Sequence, residues 1–91
     1  MTDFSSQARA ATEALRDLFA ETPLQRNDFL SARFDADIWL KREDLTPVRS
    51  YKLRGAFNAM RKMRASDPDQ QLFVCASAGN HAQGMAFCCR H

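Results

Sequence analysis

The sequence predicts an α/β fold in which parallel strands alternate with helices. Three observations lead to this class: an amphipathic helical pattern over 52–64, a short strand-like run before it at 37–41, and a continuous apolar run after it at 72–77. A run that is apolar throughout is typical of a strand buried on both faces. Strands separated by a helix are normally joined into a parallel sheet by right-handed crossovers. We therefore expect a partial three-layer α/β/α arrangement with parallel strands.

The N-terminal region predicts two helices. Residues 6–20 carry apolar side chains at helical spacing, with Ser5 or Ser6 as the candidate cap. Pro23 ends this helix, because proline disfavours a helical residue before it. A shorter helix is expected over 25–34. The side chains expected to face inward are Ala11, Leu15, Leu18 and Phe19 in the first helix and Leu24, Phe29, Leu30 and Phe34 in the second.

The rest of the chain predicts a strand, a helix, a second strand and a final helix. Residues 37–41 form the first strand, Ser50 caps the helix over 52–64, and 72–77 form the second strand. Residues 79–91 form the last helix. Two parallel strands leave open edges and uncovered apolar faces, so further strands and helices are expected to complete the sheet. The apolar face of the helix over 52–64 is formed by Leu53, Ala56, Phe57, Met60 and Met63, and that of the last helix by Ala82, Met85, Ala86 and Cys89.

Composition describes an ordinary globular protein. The 91 residues are 45% hydrophobic and 26% charged, with a net charge of +2, which argues for neither a nucleic-acid nor a membrane partner. The basic cluster at 61–64 is therefore interpreted as a solvated helix face. The N-terminus has no signal-peptide pattern. Three cysteines without a spaced framework predict free thiols and a cytoplasmic location.

Two segments carry residue types suited to chemistry, and each opens a helix. In "SYKLRGAF", residues 50–57, the amine of Lys52 could form a Schiff base with an aldehyde when it is unprotonated. In "SAGNHAQG", residues 77–84, small residues allow a ligand close to the backbone, Gly79 permits a positive φ, and exposed amides at the helix start favour an anion. From the residues alone, an exposed helix lysine and an ordinary turn capped by Asn80 remain alternatives.

Two other kinds of site are weakly supported. His81, Cys88 and His91 could be drawn together as metal ligands, but they lack short paired spacing, and we expect no metal. The cysteines and methionines of this helix are better interpreted as core residues. A nucleotide-binding domain would need a glycine-rich phosphate loop, and neither of the standard patterns occurs in this sequence.

Two long motifs in the same order and spacing give the chain a family resemblance. "KREDLTPVRSYKLRGAFNAM", followed by "VCASAGNHAQGMAF", resembles the N-terminal part of the threonine dehydratase (threonine ammonia-lyase) family of fold type II pyridoxal-phosphate enzymes. The resemblance covers roughly residues 20–91. It implies a tryptophan synthase β-like fold with pyridoxal 5′-phosphate as the cofactor. It also implies that 1–91 are an incomplete N-terminal portion of the catalytic domain, with helices in 1–36 and a β-α-β-α segment in 37–91.

The resemblance implies roles for individual residues. Lys52 matches the lysine that binds the cofactor covalently and later removes the substrate's α-proton. Asn80 matches the asparagine that hydrogen-bonds the cofactor's 3′-oxygen, while Ser50 and Tyr51 flank the lysine and shape its pocket. The loop implied to receive the substrate carboxylate is formed by Ser77, Gly79, Asn80 and His81.

The reaction implied is elimination of water from L-threonine, giving 2-oxobutyrate and ammonia at the start of isoleucine synthesis. Ala78 stands where serine racemase-like relatives have a proton-transferring serine, so elimination is favoured over racemisation. A serine dehydratase or racemase-like enzyme and a non-catalytic α/β interaction module remain alternatives. The family's glycine-rich phosphate loop lies further along the chain than residue 91. We therefore expect a longer parent, a homo-oligomer, and no activity from these 91 residues alone.

Overall fold

The computed structural model describes residues 3–91, so Met1 and Thr2 of the predicted N-terminal unit lie outside the described residues. Within that range the chain forms α-helices and one two-stranded sheet. None of the helices described is both long and apolar enough to cross a bilayer. In chain order the elements are α1 (Phe4–Leu15), β1 (Leu24–Arg26), α2 (Asp28–Phe34), β2 (Trp39–Lys41), a 3₁₀ turn (Glu43–Leu45), α3 (Lys52–Ser66) and α4 (Asn80–Cys89).

Helix α1 begins earlier and ends earlier than its pattern predicts. The carboxylate of Asp3 accepts a hydrogen bond from the backbone N–H of Ser6 at 3.3 Å, so Asp3, and neither Ser5 nor Ser6, is the cap. The helix closes at Leu15, whose carbonyl accepts from both Leu18 and Phe19. The chain turns there, well before Pro23. Leu15 is buried and Leu18 and Phe19 are half-buried, so the predicted inward face is largely present.

The two strands pair antiparallel, with Leu24 opposite Lys41 and Arg26 opposite Trp39. The prediction of a helix over 25–34 is therefore wrong at its start, because 24–26 form a strand and α2 occupies only 28–34. Asn27 accepts from the N–H of Leu30 at 2.8 Å and caps α2. The intrinsic preference of residues 24–26 for helix or strand is weak. Pairing with a strand fifteen residues further along the chain decides the conformation of this segment.

The apolar side chains of the second predicted helix, over 25–34, and of Leu24 before it are less buried than the sequence predicts. Leu24, Phe29 and Phe34 are 61%, 76% and 63% exposed, so three of the four side chains expected to face inward lie on the surface. The helix packs through Ser31, whose hydroxyl accepts from the N–H of Ile38 at 2.9 Å. Its aromatic side chains, Phe29 and Phe34, are largely exposed to solvent.

The segment 72–77 is not a strand in this structure, contrary to its prediction. A strand needs a hydrogen-bonded neighbour, and none is present for it among the described residues. Leu72 and Val74 are 79% and 82% exposed. The parallel pair predicted between 37–41 and 72–77 is consequently absent from residues 3–91, where β1 and β2 form the sheet.

The core lies between α3 and its neighbours α1 and α4. Leu53, Ala56 and Met60 are spaced three and four residues apart, so they line one face of α3, and all three are buried. Leu15 contributes from α1. Gly84 of α4 is buried at the crossing with α3. The core residues thus fix the first half of α3 and the start of α4, which carry the candidate site.

Candidate active site

Lys52 is the first residue of α3 and is exposed to solvent. Its Nζ lies 5.6 Å from the centre of the Tyr51 ring, within the range of a cation–π contact. Tyr51 occupies the cap position and makes no side-chain capping bond. The amine is therefore accessible, and an aromatic ring lies beside it.

The turn before Lys52 is held by Thr46 and not by a cap from Ser50. Thr46 Oγ1 donates to the carbonyl of Ser50 at 2.7 Å and accepts from its N–H at 3.0 Å. Thr46 is only 1% exposed. Arg49 lies between them with a φ of 64°, in the left-handed region that most residues avoid. The predicted Ser50 cap is therefore wrong, because Ser50 precedes the helix by two residues and its backbone is already bonded to Thr46.

The hydroxyl of Ser50 is buried without a hydrogen-bond partner in the described chain. Buried polar groups are nearly always hydrogen-bonded, because an unmet bond costs about 1–3 kcal/mol. An orphaned hydroxyl two residues before Lys52 marks a place where a polar ligand or a further part of the fold would be stabilised.

The second predicted loop forms the start of α4. Ser77 Oγ accepts from the N–H of Gly79 at 3.2 Å, and Asn80 is the first helical residue. Gly79 has a φ of −130°, so the positive φ expected there is not adopted. No side chain caps this helix, and Ser77, Gly79 and Asn80 are exposed while His81 is half-buried. The first N–H groups of α4 are consequently open to an anion.

Helix packing brings the two loops together. A Cβ atom placed on Gly84 would lie 3.4 Å from the carbonyl oxygen of Lys52 and 3.4 Å from the Cβ of Ala56. Gly84 follows Asn80 by four residues, which is about 6 Å along a helix. The starts of α3 and α4 therefore lie within about one helical turn of the crossing point. The structure thus places the starts of α3 and α4, which carry Lys52 and Asn80, near one another.

An ion pair that sequence reasoning missed, between Glu43 and Arg54, lies at the first turn of α3. Glu43 pairs through both carboxylate oxygens with Arg54, and Thr22 donates to Glu43 Oε2 at 2.6 Å. The hydrogen bonds from Arg54 lower the pKa of Glu43 to about 2, and the bond from Thr22 adds to this effect. The sequence shows four adjacent charged residues, Lys41 to Asp44, and gives no sign of which carboxylate reaches Arg54.

Two cavities near α4 lie away from Lys52. One, of about 390 Å³, is lined by Met60, Arg61 and Phe73 together with Cys88, and a second, of about 280 Å³, includes His81 and the exposed Val74. Both run between α3, the 68–74 segment and α4. Burial, with a smaller contribution from Cys89, raises the pKa of the Cys88 thiol to about 11, so Cys88 is an unreactive packing residue.

An accessible amine near an uncapped helix start is an arrangement that could bind a ligand carrying both a carbonyl and an acidic group. Comparison with known proteins agrees with this class. Residues 15–91 match the family described as pyridoxal-phosphate dependent enzyme, and the chain belongs to that family. The cofactor of this family is pyridoxal phosphate.

Individual relatives are similar over most of this chain. It is 54% identical over 81 residues to L-threonine dehydratase biosynthetic IlvA of Bacillus subtilis (strain 168), a match covering 89% of this chain and 19% of the relative. The protein of the same name from Halalkalibacterium halodurans is 49% identical over 82 residues, covering 87% and 19%. That from Staphylococcus saprophyticus is 53% identical over 73 residues, covering 80% and 17%. The chain thus spans about a fifth of the length of these curated relatives.

The residues present fit part of pyridoxal phosphate. Lys52 offers an exposed amine for the aldehyde, and Asn80 offers an exposed amide that can hydrogen-bond a ring oxygen. The hydroxyl of Ser50, two residues before the lysine, adds a buried polar atom without a hydrogen-bond partner. The open N–H groups of α4 suit a carboxylate. These groups would suit the carbonyl end of the cofactor and a further anionic group.

Proposed function

We propose that this chain forms the lysine-bearing N-terminal segment of an enzyme that converts L-threonine to 2-oxobutyrate and ammonia. The observation that carries the proposal is the juxtaposition of Lys52 and Asn80 at the adjacent starts of α3 and α4, inside the region that matches the family. The relatives described above, which bear the name L-threonine dehydratase, support threonine as the substrate.

Pyridoxal phosphate, when bound, supplies an electron-withdrawing ring that stabilises negative charge on the substrate's α-carbon. Lys52 would hold the cofactor's aldehyde through Nζ, and the same atom would accept the substrate's α-proton. Asn80 would hold the ring's 3′-oxygen through its amide. The two contacts fix both position and orientation, and positioning of reacting groups is a large part of enzymatic rate.

The loop 77–81 receives the substrate carboxylate in this proposal. Ser77, Gly79, Asn80 and His81 present open N–H groups and polar side chains at the start of α4. The helix dipole adds a partial positive charge at that end. Ala78, in the same loop, has no transferable proton, which supports elimination over racemisation.

We also propose how the chain sits in a complete catalytic domain. Residues 1–36 form its N-terminal helical part, and 37–91 form a β-α-β-α segment. In this arrangement 72–77 becomes a parallel strand of a three-layer sheet. Its support is the unpaired backbone of that segment and the high exposure of Leu72 and Val74. The complete enzyme is proposed to be cytoplasmic and homo-oligomeric, and the three free thiols suit a reducing compartment.

The test uses a hybrid enzyme in which these 91 residues replace the matching segment of the Bacillus subtilis relative. The hybrid is incubated with pyridoxal phosphate, reduced with borohydride, digested and analysed by mass spectrometry. We expect a single modified peptide carrying the label on Lys52, and release of 2-oxobutyrate from threonine. Lys52→Ala should abolish both. Lys62→Ala, which removes an exposed lysine from the same helix, should leave both unchanged.

The opposite pattern would support the non-catalytic alternative. Label spread over several surface lysines, with threonine turnover that survives Lys52→Ala, would mean that the segment does not carry the reactive amine.

A further inference from the structure

Three polar side chains, which we name the anchor cluster, join separate parts of the chain: Thr22, Glu43 and Arg54. Arg54 donates from Nε to Glu43 Oε1 and from Nη2 to Glu43 Oε2, the latter at 3.0 Å. Thr22 Oγ1 donates to Glu43 Oε2 at 2.6 Å and accepts from Arg54 Nη2 at 3.2 Å. Each member therefore bonds to the other two, and the cluster ties the segment before β1 and the 3₁₀ turn to the first turn of α3.

The anchor cluster is better shielded than the other ion pairs described in the chain. The side chains of Arg54 and Glu43 are 28% and 20% exposed, and Thr22 is 4% exposed. The pair of Arg26 with Asp28, by contrast, is 41% and 92% exposed. The guanidinium of Arg54 also lies 5.2 Å from the centre of the Phe19 ring. Shielded, bidentate pairs lose less to screening than exposed pairs and fix geometry more strictly.

The position of Arg54 in α3 makes this geometry relevant to Lys52. Successive helical residues point about 100° apart. Leu53 is fully buried in the core, and Arg54 is held by the cluster. The directions in which these two side chains leave the first turn of α3 are therefore fixed. The direction of the Cα–Cβ bond of Lys52 then follows. The Lys52 carbonyl also lies at the α4 crossing, which limits movement of the turn along the helix axis.

We propose that the anchor cluster is a positioning device for Lys52: Thr22, Glu43 and Arg54 fix the rotation of the first turn of α3 and so aim the amine at its reaction partner. None of the three is proposed to touch cofactor or substrate. The inference rests on the proposed function of Lys52, because a misplaced amine has consequences only if that amine reacts.

The test compares two neutralised carboxylates of the same 3₁₀ turn in the hybrid enzyme loaded with cofactor. Glu43→Gln removes the charge that holds Arg54. Asp44→Asn is the matched control, since Asp44 is also paired to an arginine, Arg42, at 2.7 Å but is exposed and does not reach α3. We expect Glu43→Gln to lower kcat at least about tenfold with little change in KM for threonine, because misplacement by about 1 Å can cost on the order of a hundredfold. Asp44→Asn should change kcat by less than about twofold, as is usual for an exposed ion pair.

A second set of variants separates positioning from folding. Thr22→Val removes the hydroxyl with little change in shape, whereas Thr22→Ser keeps it. We expect the visible circular dichroism of the bound cofactor to weaken in Thr22→Val and Glu43→Gln. In Thr22→Ser it should keep its wild-type strength. In the 91-residue chain, amide hydrogen exchange over 52–56 should accelerate in the same two variants and not in Asp44→Asn.

The outcomes distinguish the two proposals. An unsubstituted hybrid that neither turns over threonine nor labels Lys52 would refute the proposed function, and the positioning role with it. An active, correctly labelled hybrid whose kcat, dichroism and exchange are unaffected by Thr22→Val and Glu43→Gln would refute the positioning role alone. The positioning role would also be refuted if Thr22→Ser, which keeps the hydroxyl, lost as much as Thr22→Val.

Discussion

The carboxylate of Glu43 stays ionised far below the pH at which a free glutamate protonates. Hydrogen bonds from Arg54 are the main cause, and they lower the pKa of Glu43 to about 2 from its ordinary 4.5. Protonation therefore favours the unfolded chain, where the pKa is ordinary. The stabilisation is fully present above about pH 4.5 and is lost as the pH falls toward 2.

This linkage gives a pH-dependent prediction. Glu43→Gln should lower the free energy of unfolding of the 91-residue chain by about 1–3 kcal/mol at pH 7, since it replaces charge-assisted bonds with weaker ones. The difference between wild type and variant should persist to pH 5 and shrink at pH 3. Urea unfolding at the three pH values measures it, with Asp44→Asn as control. A difference as large at pH 3 as at pH 7 would contradict the assignment.

The helix pair α3–α4 decides whether the two reactive loops meet. Gly84 lies at the contact, because a Cβ atom there would already touch the Lys52 carbonyl and Ala56 at 3.4 Å, and a branched side chain would crowd them. Gly55, on α3, has nothing within 4 Å of the position its Cβ would occupy. The two glycines of neighbouring helices thus differ in their surroundings: Gly84 lies at a helix contact and Gly55 in open space.

A matched pair of substitutions tests this difference. Gly84→Val should destabilise the 91-residue chain by about 1–3 kcal/mol, the usual cost of overpacking a close contact. Gly55→Val should be neutral or slightly stabilising, by at most about 0.5 kcal/mol, because valine is a better helix former than glycine. Equilibrium unfolding of both variants measures the effect, and equal destabilisation by the two would argue against the close α3–α4 contact.

Across the whole molecule the chain buries little of its apolar surface. Its radius of gyration is 16.1 Å, against about 12 Å expected for a compact domain of this length. Its extents are 53 × 35 × 21 Å, and Phe29, Leu72 and Val74 are more than three-quarters exposed. Exposed apolar patches of this kind usually mark surfaces that another part of a protein covers. In the proposed enzyme the remainder of the catalytic domain covers them.

The behaviour of the isolated chain follows from that surface. We expect the 91-residue chain to bind the dye ANS strongly and to release no measurable 2-oxobutyrate from threonine, even with pyridoxal phosphate present. The hybrid enzyme should bind little ANS and be active. Turnover by the isolated chain at a rate near that of the hybrid would show that these residues form a complete site by themselves.

The sequence by itself determined the features that depend on neighbouring residues. Helical spacing predicted α3 and α4, and the two motifs predicted the family and cofactor, which the comparisons confirm. The roles assigned to Lys52 and Asn80 stay predictions. Each opens a helix in the sequence pattern, whereas the packing that brings the two helix starts close together is a feature of the tertiary structure.

Only the tertiary structure decided the features that depend on residues far apart in the chain. Pairing with β2 made a strand of 24–26, and the lack of a neighbour left 72–77 unpaired. The choice of Glu43 over Asp44 as the partner of Arg54 was equally open in the sequence. Strand pairing and ion pairing are set by which groups the fold brings within hydrogen-bonding distance, and local propensity carries no information about that.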